Sequence, residues 1–152
     1  MKKLVFILLF PLIAYSENNI KIIDGDTIHL NGYKIRFSGI DAPEINQNCK
    51  KNNKVIECGL IAKDLILSKI AGFEPVCILE GKDRYGRFLG ECFINDKSLS
   101  KYLVRQGFAF AYTKYSKKFV LDENYAIKNK LGMWDMDFIF PWDYRKNNYN
   151  FK

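Results

Sequence analysis

Histidine is almost missing from this chain: among 152 residues only His29 carries an imidazole. Zinc centres draw on closely spaced Cys and His ligands. Here the four cysteines, Cys49, Cys58, Cys77 and Cys92, include no pair two to four residues apart. A zinc site is therefore excluded as the leading reading, and His29, placed in an alternating segment, reads as a polar strand residue rather than a base. Long apolar runs are also missing. The stretch from Leu4 to Ala14, broken by Pro11, is well short of the roughly 20 residues a spanning helix needs. No cysteine follows that run, which argues against a lipid-anchored product, and internal repeats and low-complexity tracts are absent. What remains suits a single domain large enough to bury a core.

The first sixteen residues have the parts of a signal peptide: Lys2 and Lys3, the short apolar run, then Ala14-Tyr15-Ser16 as a small-x-small cleavage site. The expected boundaries are a signal at 1–16 and one domain at 17–152, with a C-terminal tail from about 135. Cleavage removes two lysines and no acid, so the formal charge falls from +7 to +5. A basic exported protein favours polyanions such as nucleic acid or anionic lipid. The expected location is secreted or periplasmic, without stable membrane association once the signal is gone, and a monomer is expected.

An even number of cysteines in an exported chain suggests two disulfides, with three connectivities open. Cys49–Cys58 closes a local loop. Cys77 and Cys92 are equidistant from Arg84-Tyr85, so a hairpin turning there would set them face to face. The pairing Cys49–Cys58 with Cys77–Cys92 is accordingly preferred.

From Ile20 to Phe37 the sequence alternates around Asn31-Gly32, a dipeptide that favours a two-residue hairpin turn. This predicts two strands, with Asp26 on the first and Arg36 late in the second. Pro43 cannot donate to a ladder and restricts Ala42, so Asp41 and Glu44 fall at a turn. Residues 57–70 carry apolar positions at helical spacing. Segments 75–80 and 88–94 read as a second hairpin, a second helix starts near Ser98 and stops at Gly107, and a third spans about 121–131. Short strands with a few helices predict an α+β, mainly β, fold: a five-stranded barrel of the OB type with about three α-helices. The tail Pro141-Trp142-Asp143-Tyr144-Arg145-Lys146 reads as a segment docked onto that barrel.

The chemistry-bearing residues lie in Ile23-Asp24-Gly25-Asp26-Thr27, Arg36, Asp41-Ala42-Pro43-Glu44 and Asp83-Arg84-Tyr85-Gly86-Arg87. Two carboxylates, Asp26 and Asp41, can hold a hard divalent cation by oxygen, and a third, Glu44, can orient or deprotonate water. Arg36 and Arg87 can clamp a phosphate and meet its developing charge with a planar fork that lysine lacks. The set suits phosphodiester hydrolysis, where positioning and charge neutralisation do most of the work. Tyr85, Tyr112 and Tyr115 can stack on bases, although Tyr112 and Tyr115 serve equally well as packing residues.

In order and spacing, the blocks IDGDT, an arginine five residues before D-x-P-E, DRYGR and LVRQGFA resemble the staphylococcal-nuclease (thermonuclease-like) family over about residues 20–134. The resemblance implies an OB-type barrel and a secreted, calcium-dependent nuclease, acting on DNA and with RNA left open. In its reaction water attacks in line and the 5′ oxygen leaves. It further implies that Asp26, Asp41 and the backbone carbonyl of Ala42 bind Ca2+, that Glu44 is the base, and that Arg36 and Arg87 bind the scissile phosphate. Arg84 and Tyr85 reach a neighbouring terminal phosphate, and Asp24 falls outside the ligands, behind them. Ala42 stands where the best-known member has Thr, which removes a hydroxyl and leaves the carbonyl. Two alternatives from other classes are a nucleic-acid-binding module on the same barrel without chemistry and an envelope protein using its basic face on anionic lipid.

Overall fold

The computed structural model describes residues 19–147, so the expected signal peptide at 1–16 and the last residues of the tail lie outside the described residues. Three strands come first, β1 (Ile20–Ile22), β2 (Thr27–Leu30) and β3 (Tyr33–Phe37). Asn31 and Gly32 turn β2 into β3 with φ of 50° and 85°, the left-handed pair that a tight hairpin requires. The single strand expected at 20–30 is broken. Asp24 accepts a hydrogen bond on its side chain from the Asp26 amide at 3.0 Å, and the bend folds β1 back along β2, with Ile22 facing Ile28. Asp26 therefore sits in the bend immediately before β2 and not within a strand.

A short strand β4 (Ile40–Asp41) leads to a ribbon, β5 (Cys49–Lys51) and β6 (Lys54–Ile56), and then to helix α1 (Cys58–Ile70). The ribbon was not anticipated, although its turn residues Asn52 and Asn53, at φ 51° and 61°, are of the type that makes tight hairpins. The second hairpin is β7 (Val76–Lys82) with β8 (Phe88–Ile94), its turn at Asp83–Arg87. After it come β9 (Lys97–Ser98), α2 (Leu99–Arg105), β10 (Phe110–Ala111), α3 (Val120–Lys128), a 3-10 turn at Gly132–Asp135, and α4 (Pro141–Asn147). Ser98 caps α2 by accepting from the Lys101 amide, and Gly107, at φ 74°, follows its end, as expected from sequence.

The main sheet runs β1-β2-β3-β8-β7, with β9 against β8, and β3 and β8 are parallel. Two small antiparallel pairs, β10 with β4 and β5 with β6, stand apart from it. The closed five-stranded barrel is not formed by the ladders of the described residues, since no pairing joins β7 to β1. β1 is only three residues long and ends at the Asp24–Asp26 bend, so it offers little edge. The described residues form a mixed α+β fold with four α-helices, one more than expected, because the tail forms α4.

Helix α2 packs on β8, α1 and α3, burying Leu99, Leu103 and Val104 beside Ile28, Phe37, Ile66 and Phe110. Gly59, in the first turn of α1, lies so close to the Asp41–Gln47 segment that a Cβ there would stand 1.9 Å from the Glu44 carbonyl oxygen. Helix and acidic turn are thus in backbone contact, with the Gly59 amide donating to Gln47 at 3.0 Å.

Both preferred disulfides are present. Cys77 and Cys92 are direct cross-strand partners, and Cys49–Cys58 ties the β5–β6 ribbon to the start of α1. On the loop-entropy model each constrains the unfolded chain by roughly 3 kcal/mol. Replacing Cys49 and Cys58 together by Ser is expected to lower unfolding free energy by about 2–4 kcal/mol in urea titrations; a loss below about 0.5 kcal/mol would show that the ribbon is held by other contacts.

Candidate active site

Asp26 and Asp41 are brought together by separate pieces of chain. The strand pair β4–β10 sets Asp41 opposite Phe110 and leaves it with no exposed surface. Asp26 is 2% exposed, and its carboxylate accepts from the Ala42 amide at 2.9 Å and the Thr27 hydroxyl at 3.0 Å. Gly25 allows this approach: a Cβ there would meet Ala62 and Ala42 within 3 Å.

Buried carboxylates need partners, and Arg36 supplies one to each. From β3 its guanidinium pairs with Asp26 and, at 2.7 Å, with Asp41. Burial works against its charge, yet Asp26 and Asp41 more than offset that, and its pKa rises. Burial pushes the Asp41 carboxyl up, with hydrogen bonding from Arg145 opposing it. Asp24 is pushed up to about 7, first by burial and then by the neighbouring Asp26 charge. Bonded to the Asp26 amide, it holds the bend.

Glu44 stands at the mouth of the cluster, 38% exposed. Its turn is fixed by Gln47, a residue the sequence reading passed over. Gln47 is buried, its amide donates to the Glu44 carbonyl at 2.8 Å, its side-chain oxygen accepts from the Glu44 amide at 3.2 Å, and its side-chain nitrogen donates to the Ile139 carbonyl at 2.7 Å. A buried Gln in this turn had a signal only in its closeness to D-x-P-E.

Arg145 was also missed as a site residue. It donates to Asp41 Oδ2 at 2.8 Å, Asp41 Oδ1 at 3.1 Å and Glu44 Oε1 at 2.8 Å. The tail had been singled out for docking, but nothing in Tyr144-Arg145-Lys146 indicated which cation would turn inward. Burial opposes the Arg145 charge as well, and Asp41 and Glu44 outweigh it.

The remaining expected residues lie elsewhere or serve other contacts. Arg87, at the β7–β8 turn, pairs with Asp83 at 2.7 Å, and no hydrogen bond or ion pair joins it to the acidic cluster among the described residues. Its carboxylate partner is held below the usual range, because hydrogen bonds from Arg87 and the Tyr85 amide outweigh desolvation. Arg84 bonds the Tyr85 hydroxyl at 2.7 Å and lies over its ring, so these two form one exposed unit. Tyr112 is half-buried and stacks on Trp142, with ring planes 2° apart, whereas Tyr115 is 70% exposed and meets Tyr112 edge to face. His29 lies on β2, facing Lys34 and Lys21 across the sheet and away from the cluster's contacts.

The chain matches the family described as staphylococcal nuclease homologue over residues 34–136. It belongs to the staphylococcal nuclease family. Among its relatives, a protein of Escherichia coli named as an uncharacterized endonuclease is 31% identical over 151 residues, covering 93% of each chain. A staphylococcal-like nuclease, CAN1, of Arabidopsis thaliana is 31% identical over 118 residues, 76% of this chain and 34% of that longer protein. A succinoglycan biosynthesis protein of Rhizobium meliloti is 32% identical over 117 residues, covering 74% of this chain and 61% of its own length. Membership of this family implies an OB-like fold and makes the chain a nuclease, a hydrolase whose substrate is nucleic acid.

Family members generally use calcium, and the donor chemistry here fits a hard cation: Asp26 and Asp41 are buried and offer only oxygen. Their hydrogen bonds leave each about one of a carboxylate's four lone-pair positions. No group of three acidic, imidazole or thiol side chains already converges for a metal among the described residues, so a backbone oxygen such as that of Ala42 would have to complete the set.

The strand that backs Asp41 is itself held by a carboxylate. Glu123 accepts from the Ala111 amide on β10 at 3.0 Å, and burial raises its pKa above the ordinary 4.5. A raised folded-state pKa means that the folded protein keeps a proton the unfolded chain releases, so stability falls as pH climbs from about 4.5 through the folded value. Glu123→Gln, which retains the acceptor, is expected to leave stability nearly unchanged at pH 4 and to raise it by up to about 1 kcal/mol at pH 8. Urea unfolding at the two pH values checks this; a difference independent of pH would remove the burial effect.

Proposed function

We propose that the chain is an exported, calcium-dependent nuclease hydrolysing phosphodiester bonds in DNA, with RNA as a second substrate class, and that it acts as a monomer after loss of residues 1–16. The two disulfides suggest an oxidising compartment outside the cytoplasm, and no helix of the described residues is long and apolar enough to cross a membrane. One observation carries the reading: two buried carboxylates share the guanidinium of Arg36, with a more exposed Glu44 three residues beyond the second of them.

In this reading Asp26, Asp41 and the carbonyl of Ala42 hold the cation. Calcium, when bound, would neutralise phosphate charge and favour ionisation of a nearby water. Glu44 takes the proton of the attacking water, a new bond forms from that water's oxygen to phosphorus opposite the 5′ oxygen, the P–O5′ bond breaks, and the departing 5′ oxygen takes a proton from solvent water. Arg36 meets the charge that builds on the phosphoryl oxygens. Arg87 provides a second fork once phosphate replaces Asp83 as its partner, while Arg84 and Tyr85 hold a neighbouring phosphate, Tyr115 offers a ring to a base and Tyr112 backs it. The competing reading, a binding module without chemistry, draws on Arg87 being held by Asp83 and not by the cluster.

Calcium is expected to support cleavage of labelled DNA and chelator to abolish it, with magnesium a poor substitute because it requires tighter octahedral geometry. Cutting that survives chelator would remove the metal assignment, and no cutting under any divalent cation would favour the binding module.

Glu44→Gln keeps size and hydrogen-bonding capacity while losing the carboxylate. Since general-base assistance contributes about 10²–10⁴-fold, single-turnover cleavage should fall by at least about 100-fold. DNA affinity measured in calcium at fixed salt should change by less than about tenfold. Cleavage at the unaltered rate would take Glu44 out of the chemistry.

A further inference from the structure

We propose that Arg145 is a tethered counter-ion of the acidic cluster, which α4 delivers to Asp41 and Glu44 and which a divalent cation must displace before the site can work. The inference rests on the cation reading of Asp26 and Asp41 and concerns what competes with that cation.

Its first support is where the guanidinium lies. Nη1 donates both to Asp41 Oδ1 at 3.1 Å and to Glu44 Oε1 at 2.8 Å, while Nη2 holds Asp41 Oδ2 at 2.8 Å. One nitrogen thus bridges the carboxylate assigned to the cation and the carboxylate assigned to the water. A water that touches both the cation and Glu44 has to stand in that gap, so the two arrangements exclude each other. The bidentate fork is also the strongest form of guanidinium–carboxylate contact, which makes Arg145 a serious competitor and not a passing neighbour.

The second support is the balance of charge. Asp26, Asp41 and Glu44 face Arg36 and Arg145. Without a divalent ion both guanidiniums are needed to offset the acids. A dication brings two further positive charges, and one guanidinium becomes surplus.

The two arginines are not equivalent in this respect. The Arg36 side chain is 15% exposed, rises from a central strand and bridges both buried carboxylates, whereas that of Arg145 is 37% exposed and sits on the seven-residue helix α4. Arg145 is the one that can leave.

The third support is that its delivery is built. Pro141 is buried, Trp142 stacks on Phe140 with planes 9° apart and on Tyr112, and Phe110 touches Phe138, Phe140 and Trp142. Gln47 holds the Ile139 carbonyl at 2.7 Å. Those contacts fix the start of α4, so that Arg145 swings as a side chain at the end of an anchored arm.

The test is calcium affinity measured by titration calorimetry on the purified protein, with Arg145→Gln and Arg145→Lys. Arg145→Gln is expected to bind calcium at least about tenfold more tightly than the parent, to be less stable than the parent in chelator, and to gain more stability from calcium. Arg145→Lys, which keeps the charge but not the fork, should fall between the two and provides the answer if the Gln variant does not fold. Equal or weaker calcium binding in the variants, with the parent still binding, overturns the latch and makes Arg145 a permanent member of the site. Absence of calcium binding in parent and variants alike removes the cation reading itself, and the latch with it.

Discussion

A carboxylate with no exposed surface, Asp41, is the constraint on which the rest of this structure turns. Ionised and alone in such a place it would cost several kcal/mol. Its compensation comes from both ends of the described chain: Arg36 from the second strand of the first hairpin and Arg145 from the last helix. Each guanidinium also serves a second acid, Asp26 or Glu44. The result is an alternating row of charges in which Asp41 is the central member. Backbone contacts support the row from below, because α1 enters against the Glu44 carbonyl through Gly59 and Gln47 ties the turn to Ile139.

Local chemistry in the sequence was legible wherever a residue type dictates its own backbone. Asn31-Gly32 forces a tight turn, Ser98 caps a helix, Gly107 follows its end, and Cys77 and Cys92 fall opposite one another because they flank a symmetric hairpin. Asp26, Arg36 and Asp41 were legible for a different reason: their spacing repeats a family pattern, and the hairpin and D-x-P-E turn bring them together. The break at Asp24-Gly25-Asp26 was read as a continuous strand, since alternation counts side chains and takes no account of an Asp whose own carboxylate satisfies an amide two residues on.

Long-range contacts were not legible. Arg145 meets Asp41 across 104 residues, and no periodicity or turn signal reports such a distance. Gln47 is similar, being polar, buried and bonded to a carbonyl far along the chain. Arg87 shows the opposite case: its motif position was legible, whereas its contact in the structure, with Asp83 four residues before it in the same turn, was not. Closure of the barrel depended on β1 and β7 meeting, and the length of β1 was decided by the Asp24 bend.

The pairing of Phe110 with Asp41 has a consequence for the order in which the molecule can be completed. Phe110 is at once the strand neighbour of the most deeply buried acid and the hub of the aromatic cluster that seats the C-terminal segment. The chain must lay down β4 and its acid more than a hundred residues before the guanidinium that completes the acid's neutralisation exists. A chain truncated before α4 would lack the Arg145 guanidinium and would leave Arg36 as the ion-pair partner of Asp41. A guanidinium near the end of the described chain thus finishes the electrostatics of one of its first turns.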